Sequence, residues 1–128
     1  MNPNELDYRL HIVRAAAILT NSYVAGTVIS EVKDANQLII LADFVKGSLT
    51  SVEIKVEFSP DGTNYYRETS EAFTAGSGVV SLAERTFAAT GAYRIAIPIK
   101  DRFIKLSVQG TGTVTSSSIA LKAVVGSV

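Results

Sequence analysis

Hydrophobic and charged residues alternate strictly along several stretches of the chain. In Val52–Phe58 the three charged residues Glu53, Lys55 and Glu57 separate four apolar ones. A period of two is typical of a β-strand with one buried and one solvated face. The same alternation recurs in Leu6–Val13, Tyr93–Ile99, Ile104–Val108 and Ile119–Val125. Gln37–Val45 is more uniformly apolar, which predicts a strand covered on both faces.

The alternation assigns a core-facing side to each predicted strand. The residues predicted to face the core are Val52, Ile54, Val56, Phe58, Tyr93, Ile95, Ile97, Ile104, Leu106, Val108, Ile119, Leu121 and Ala123. Pro98 falls on the opposite side of its strand. Because proline has no N–H, this position predicts an edge strand or the last position of a ladder. His11 falls on the polar side of the first stretch, which predicts a solvated or cross-strand-paired imidazole.

Turn-forming residues separate these stretches. Ser59–Asn64 contains Pro, Asp, Gly and Asn in an order that a reversing chain favours. Gly110–Thr113 lies between two alternating stretches and predicts a hairpin connection. Short strands with a turn about every ten residues predict a single antiparallel β-sandwich, either jelly-roll or immunoglobulin-like, with about eight strands. We expect this one domain to span residues 1–128.

Two stretches admit a second interpretation. Arg14–Leu19 fits either one helical turn or the continuation of the first strand, and so short a helix needs tertiary support. Leu82–Ala89 also fits a brief helix.

Composition agrees with a β-rich fold and excludes several kinds of chemistry. Val, Ile and Thr supply 36 of the 128 residues, and β-branched side chains favour strands. The absence of cysteine excludes disulfides, thiolate nucleophiles and cysteine-ligated metals. Since His11 is the single histidine, a multi-histidine metal centre within one chain is excluded as well. We therefore predict no enzymatic activity, no catalytic or metal-binding residue and no cofactor.

Net charge and hydropathy bear on partners and location. The 12 basic and 12 acidic residues cancel, which argues against a nucleic-acid partner held by phosphate neutralisation. The polar, acidic start of the chain lacks the character of a signal peptide. The longest apolar runs, Ala15–Leu19 and Leu38–Ala42, are far shorter than a membrane span. We expect folding in a cytoplasm, without a membrane partner.

The charges are unevenly distributed along the chain. Residues 1–64 contain five basic and eight acidic residues, whereas residues 65–128 contain seven basic and four acidic ones. Either the strands interleave so that the imbalance vanishes in space, or oppositely charged patches meet across neighbouring subunits. Under the second interpretation, the bases expected near a partner contact are Arg94, Lys100, Arg102 and Lys105.

Two further features have both a functional and a structural interpretation. Asp61 and Asn64 offer oxygen ligands for calcium, but turn chemistry accounts for both, and an EF-hand-like loop needs more carboxylates. An exposed aromatic ring predicts sugar stacking, whereas a packed ring predicts a structural role. The tyrosines that such a sugar-binding patch would use are Tyr23, Tyr65, Tyr66 and Tyr93.

The segment Ser59–Tyr66, with the sequence SPDGTNYY, follows an alternating strand. It resembles the strand and S-x-D-G-T-N-aromatic hairpin of many small virion proteins of tailed bacteriophages. The closing segment is similar to the paired final strands of those proteins: Tyr93–Ile95, Asp101–Val108 and Gly110–Thr115 precede a last alternating strand. The resemblance covers residues 52–66 and 92–125. It implies a β-sandwich with a structural role in a virion, and it brings no catalytic or binding residues.

The resemblance also implies a function, a location and partners. It implies a capsid decoration or cement protein that binds the major capsid protein or other virion proteins, is assembled in the host cytoplasm and stays in the virion. A closed homo-oligomer is expected, with a trimer favoured over a dimer because such proteins lie on symmetric shells. The alternative is a glycan- or receptor-binding module, for example in a tail or head fibre. An enzyme would require His11 or a carboxylate pair in a pocket.

Overall fold

The structure is a computed structural model that describes residues 8–30, 32, 35–74, 77–82 and 85–127. All regular secondary structure in these ranges is β-strand. The strands are β1 (Tyr8–Ile18), β2 (Val24–Ala25), β3 (Gln37–Val45), β4 (Leu49–Ser59), β5 (Tyr66–Arg67), β6 (Thr69–Thr74), β7 (Ser77–Leu82), β8 (Arg85–Phe87), β9 (Gly91–Pro98), β10 (Phe103–Gly112) and β11 (Ser118–Gly126). The all-β prediction is therefore confirmed.

Nine of these strands form two antiparallel sheets. In sheet A the order is β1-β11-β3-β9, and in sheet B it is β2-β10-β4-β5, with β8 also paired to β4. Strands β6 and β7 form a separate hairpin. The chain alternates between the sheets from β1 to β4 and again from β9 to β11, which gives the strand order of a jelly roll. Of the two predicted sandwich topologies, the protein has the jelly roll.

The two sheets enclose one hydrophobic core, and the predicted core residues form most of it. Those on β4, β10 and β11 are at most 3% exposed, and Ile97 of β9 is 4% exposed. Tyr93 and Ile95 are partly buried and pack against this core. The charged residues of β4 lie on the opposite side of their strand, as predicted. Pro98 is the last residue of β9, an edge strand of sheet A, which confirms its predicted position.

The predicted hairpin at Gly110–Thr113 is wrong. Strand β10 continues to Gly112 and pairs with β4 and β2, whereas β11 pairs with β1 and β3 in the other sheet. Ser117 fixes this crossing between the sheets, because its buried hydroxyl donates to the Lys46 carbonyl and accepts the Leu49 N–H at 3.3 Å. Alternating strands on both sides of a Gly/Thr turn fit a hairpin and a crossing equally well.

The stretch Arg14–Leu19 continues the first strand and does not form a helical turn. The register between β1 and β11 shifts twice, on either side of Arg14. The Arg14 guanidinium donates to the backbone carbonyls of Ala17 and Ile119 at 3.2 Å each. These bonds satisfy carbonyls at an irregular part of the ladder, where the regular hydrogen bonds between strands are interrupted.

The described part of Leu82–Ala89 is likewise extended. Arg85–Phe87 forms β8 and pairs with β4, while residues 83 and 84 lie outside the described ranges. The Arg85 guanidinium forms an ion pair with Glu68, which ties this short strand to the segment that follows β5.

The predicted turn at Ser59–Asn64 is present and is held by its own side chains. The Asp61 carboxylate accepts the N–H groups of Asn64 and Thr63, both at 2.8 Å. Gly62 has a φ of 78°, a left-handed conformation that suits glycine. The backbone hydrogen bonds stabilise the charged carboxylate and hold the pKa of Asp61 well below its usual range. Turn chemistry therefore accounts for Asp61 and Asn64.

Candidate functional site

The two sheets present very different outer faces. Among residues 9–30, 32, 35–68 and 85–127, six large apolar side chains are exposed, and four of them lie on the outer side of sheet A. These four are Leu10, Ile12, Ile18 and Val45, with exposed fractions of 61, 68, 65 and 50%. A group of apolar side chains left together in water marks a candidate interaction surface.

Strand pairing aligns the outward side chains of sheet A in rows across the sheet. The row at one end contains Gln37 and Pro98, and the next four rows carry the exposed apolar side chains. In the strand order β1, β11, β3, β9, row 1 is Leu10, Val124, Ile39 and Ala96, and row 2 is Ile12, Lys122, Leu41 and Arg94. Row 3 is Ala120, Asp43 and Ala92 on the last three strands, and row 4 is Ile18, Ser118 and Val45 on the first three. We call these four rows the apolar face.

Strand β3 lies in the middle of the apolar face, and it corrects one prediction. The sequence predicts that Gln37–Val45 is covered on both sides, but only its first half is. Ile39 is 5% exposed, whereas Val45 is half exposed. An open depression in this region is lined by Ile39, Leu41, Arg94 and Val124. The outward side of β3 is thus apolar without being fully covered by the described part of the chain.

Strand β1 contributes to the apolar face because its apolar residues Leu10 and Ile12 point to solvent and not to the core. The sequence places His11 on the polar side of its strand, and in the structure that side faces inward. Leu10 and Ile12 are the exposed residues, while His11 is partly buried and lies opposite the buried Ala123. Alternation separates two sides of a strand, but it does not state which side meets the core. Residues 6 and 7 of the predicted stretch lie outside the described ranges.

Three charged side chains interrupt the apolar face, and none of them is paired. Arg94 and Lys122 flank Leu41 in row 2, and Asp43 follows Leu41 along β3 in row 3. Within the described ranges, none of the three charged groups forms an ion pair. The face therefore holds two cations and one anion that pair with no charged group among the described residues.

The outer side of sheet B, which we call the charged face, is organised in the opposite way. Arg67 donates to the Glu53 carboxylate at 3.0 Å, and the Lys55 ammonium lies 3.4 Å from the Glu57 carboxylate. These four side chains are only 15–22% exposed. The charges of this face are thus partly buried and satisfied by one another.

Tyr23 packs over the charged face. The Lys55 ammonium lies 4.3 Å from the centroid of the Tyr23 ring, and the Arg67 guanidinium lies 6.0 Å from it, which are cation–π distances. Burial raises the pKa of Tyr23, and hydrogen bonding to Glu53 adds to that rise. The Arg67 Nε is buried without a hydrogen-bond partner among the described residues.

The tyrosines considered for sugar binding do not form one platform. The Lys105 ammonium lies 4.2 Å from the centroid of the Tyr65 ring. Tyr93 stacks on the phenylalanine of β8, with ring centroids 4.0 Å apart. Tyr66 is 64% exposed. Together with Tyr23, three of the four rings are engaged by neighbours within the chain.

The four bases predicted near a partner contact lie on different surfaces. Arg94 is exposed on the apolar face, and Lys105 lies on the outward side of β10 over the Tyr65 ring. Lys100 and Arg102 are exposed in the connection between β9 and β10. Only Arg94 shares a surface with the exposed apolar side chains. Lys122 was not predicted there, although the alternation of its strand places it on the outward side.

Neither a metal centre nor a membrane-spanning helix is present among the residues that the structure describes. No group of three His, Asp or Glu side chains in these ranges is placed to hold a metal ion. The same ranges contain no helix of the length and hydrophobicity needed to cross a membrane.

No protein-family model matches the chain, and no curated protein matches it significantly in sequence. The surfaces themselves therefore carry the functional inference.

Proposed function

We propose that the protein is a non-enzymatic structural component of a tailed-phage virion, a capsid decoration or cement protein that assembles through the apolar face. The observation that carries this proposal is the exposure of Leu10, Ile12, Ile18 and Val45 on one side of the sandwich. Monomeric soluble proteins rarely leave large apolar patches in water, and such patches mark interaction surfaces. A structural role needs a surface of this kind and no reactive group.

The distribution of charge supports the same surface. Glu53 and Arg67 on the charged face already satisfy each other, so a partner gains little by approaching them. Asp43, Arg94 and Lys122 on the apolar face are unpaired in the described ranges and lie among apolar neighbours. Charges in and around an interface orient the partners and exclude wrong ones. The apolar face thus combines area for burial with groups that give specificity.

The fold and one motif add support by analogy. Jelly rolls occur in viral capsid proteins, and also in lectins and cupins, so the fold by itself does not assign a function. The Ser59–Tyr66 segment resembles a hairpin of tailed-phage virion proteins, and in this chain it reverses the direction at the end of β4. The choice of a virion over another assembly rests on that resemblance.

The test is whether the protein remains with intact particles. Particles produced from the genome that encodes the chain are purified and washed at high salt, and the copies per particle are counted by quantitative mass spectrometry. We expect many copies of the wild-type chain in every washed particle. Its absence would contradict the proposal, and binding to a glycan array in place of particles would favour the receptor-binding alternative.

A pair of variants locates the surface in the same assay. Leu41→Glu puts a carboxylate in the middle of the apolar face, and we expect at least about a tenfold loss of bound copies, since unmatched interface charges cost several kcal/mol. The matched control is Ala25→Glu, at an exposed position of β2 on the other sheet. We expect this control to bind like wild type. Equal losses for both variants would contradict the assignment of the apolar face.

A further inference from the structure

We infer that the apolar face is covered by a second copy of this chain, which packs against it face to face about a two-fold axis. The axis lies in the interface, runs across the strands and passes between rows 2 and 3. The inference rests on the proposed function only in taking the apolar face as the assembly surface. It adds the identity of the occupant and the geometry of the contact.

The unpaired charges of the apolar face complement one another under this rotation. Arg94 and Lys122 are the two cross-strand neighbours of Leu41. The rotation brings row 3 of the second copy over row 2 of the first. The partner's Asp43 then lies over Leu41, with one base on each side of it. The reciprocal contact forms at the same time, so every unpaired charge of the face gains an opposite one.

The sizes of the facing side chains agree with the same rotation. Lys122 comes to lie over the partner's Ala120, because both residues belong to β11 and lie in adjacent rows. Arg94 comes to lie over the partner's Ala92 for the same reason on β9. The long basic side chains thus meet small ones, which leaves them room to turn towards the carboxylate between them.

The two ends of the interface are apolar. The rotation places row 1 over row 4, so that Leu10 faces the partner's Ile18 and Ile39 faces the partner's Val45. Sheets that pack face to face lie about 10 Å apart and cross at about 30°. Leucine, isoleucine and valine side chains fill such a gap. The apolar side chains now left in water therefore bury one another at both ends.

The size of the face is adequate for a specific interface. Four strands about 4.8 Å apart and four rows about 6.8 Å apart cover roughly 500 Å² of flat area. Protruding side chains add accessible surface, which brings the face near the roughly 600 Å² per partner of smaller specific interfaces. A two-fold axis along the strands would keep each row over itself. Asp43, in row 3, would then face only row-3 residues, so neither base of row 2 would gain an opposite charge.

The first test measures the mass of the purified full-length chain by light scattering during size-exclusion chromatography. We expect twice the 13.6 kDa of the chain over the micromolar concentration range. A monomer throughout that range would overturn the inference. A trimer, which the resemblance implied, would overturn the two-fold arrangement.

The second test uses two variants that repel themselves and attract each other. Asp43→Lys puts a base between the partner's two bases, and the double variant Arg94→Glu, Lys122→Glu puts two acids around the partner's acid. We expect each variant alone to weaken dimerisation at least about tenfold, because like charges face each other. Mixed together, the two variants should form a heterodimer, since every contact then joins opposite charges.

The control for the change in net charge is Asp101→Lys, in the connection between β9 and β10, which should dimerise like wild type. Recovery of the dimer on mixing also shows that both variants are folded. If the mixture stays monomeric, or if either variant dimerises as tightly as wild type, the inference is overturned.

Particle attachment separates this inference from the proposed function. A chain that is monomeric in solution but present in washed particles overturns the second-copy contact and leaves the proposed function standing. A dimer that is absent from particles overturns the proposed function and leaves the second-copy contact standing. Dimerisation and attachment together support both.

Discussion

The two outer faces of the sandwich are built from strands that pair in the same antiparallel way, yet they meet solvent in opposite ways. On the charged face, Glu53, Lys55 and Glu57 alternate with core residues and form contacts within the chain. On the apolar face, the outward positions are mostly apolar, and charges such as Asp43 have no ion-pair partner in the described ranges. The side chains of the charged face satisfy one another within the chain, and for the apolar face we propose that a second molecule does so.

Because of this difference, we expect the charged face to contribute to the stability of the fold and the apolar face to contribute to association. An apolar side chain that stays in water adds little to the free energy of unfolding of one chain, but its burial in an assembly gains about 25 cal/mol per Å². A partly buried ion pair acts within the chain instead. We therefore expect substitutions on the charged face to change the stability of the fold and substitutions on the apolar face to change association.

The largest change in stability is expected on the core side of sheet A, and substitutions on its outward side should have little effect. Ile40 is fully buried, and Ile40→Ala should lower the free energy of unfolding by about 2–5 kcal/mol through lost burial and the cavity left behind. Ile12→Ala should change it by about 0.5 kcal/mol or less, because the side chain is 68% exposed. Urea denaturation at low protein concentration measures both. A similar loss for the two variants would show that the chain itself covers the apolar face.

An intermediate effect is expected on the charged face. Glu53→Gln and Arg67→Gln each remove one charge of the 3.0 Å pair, and each should lower the free energy of unfolding by about 1–2 kcal/mol. The double variant should lose less than the sum, because the two groups interact. Arg94→Gln on the apolar face is the matched control and should change stability by about 0.5 kcal/mol or less. Strictly additive losses would show that the Glu53–Arg67 pair does not stabilise the charged face.

The smallest effect is a pH dependence that belongs to Tyr23. Because the folded protein raises the pKa of Tyr23, it favours the neutral phenol, and this stabilisation is fully present below the ordinary tyrosine pKa of about 10. It is lost as the pH rises through the raised value. The stability difference between wild type and Tyr23→Phe should therefore decrease from pH 8 towards strongly alkaline pH, as measured by urea denaturation. The decrease should be weaker in a Glu53→Gln background, since Glu53 contributes to the shift.

Sequence predicts this fold best where one side of a strand is charged. Glu53 and Lys55 mark the outward side of β4 without ambiguity, so the core of that strand follows directly. The prediction fails at β1, where Leu10 and His11 exchange their expected environments, and in the second half of β3. There the outward residues are apolar too, with the exception of Asp43 on β3. A hydropathy pattern cannot distinguish burial within a chain from burial between chains, because both remove the same surface from water.

The candidate site was only partly predictable for a related reason. The excess of bases in the second half of the chain predicts Arg94 near a contact, but its neighbours on the face come from β3 and β11. Their neighbourhood depends on the strand order, and the connection at Gly110–Thr113 fits a hairpin as well as a crossing. Once the crossing joins β11 to β3, Asp43 and Lys122 fall on the same face as Arg94.

If the protein assembles as proposed, the apolar face is the surface that becomes covered. Hydroxyl-radical footprinting of the free chain, diluted until it is monomeric, and of the particle-bound chain tests it most directly, because it reports side-chain exposure residue by residue. We predict strong protection of Leu10, Ile12 and Leu41 in the bound chain, with the oxidation of Tyr66 unchanged. Unchanged oxidation of Leu10, Ile12 and Leu41, with protection on the side of sheet B instead, would contradict the account.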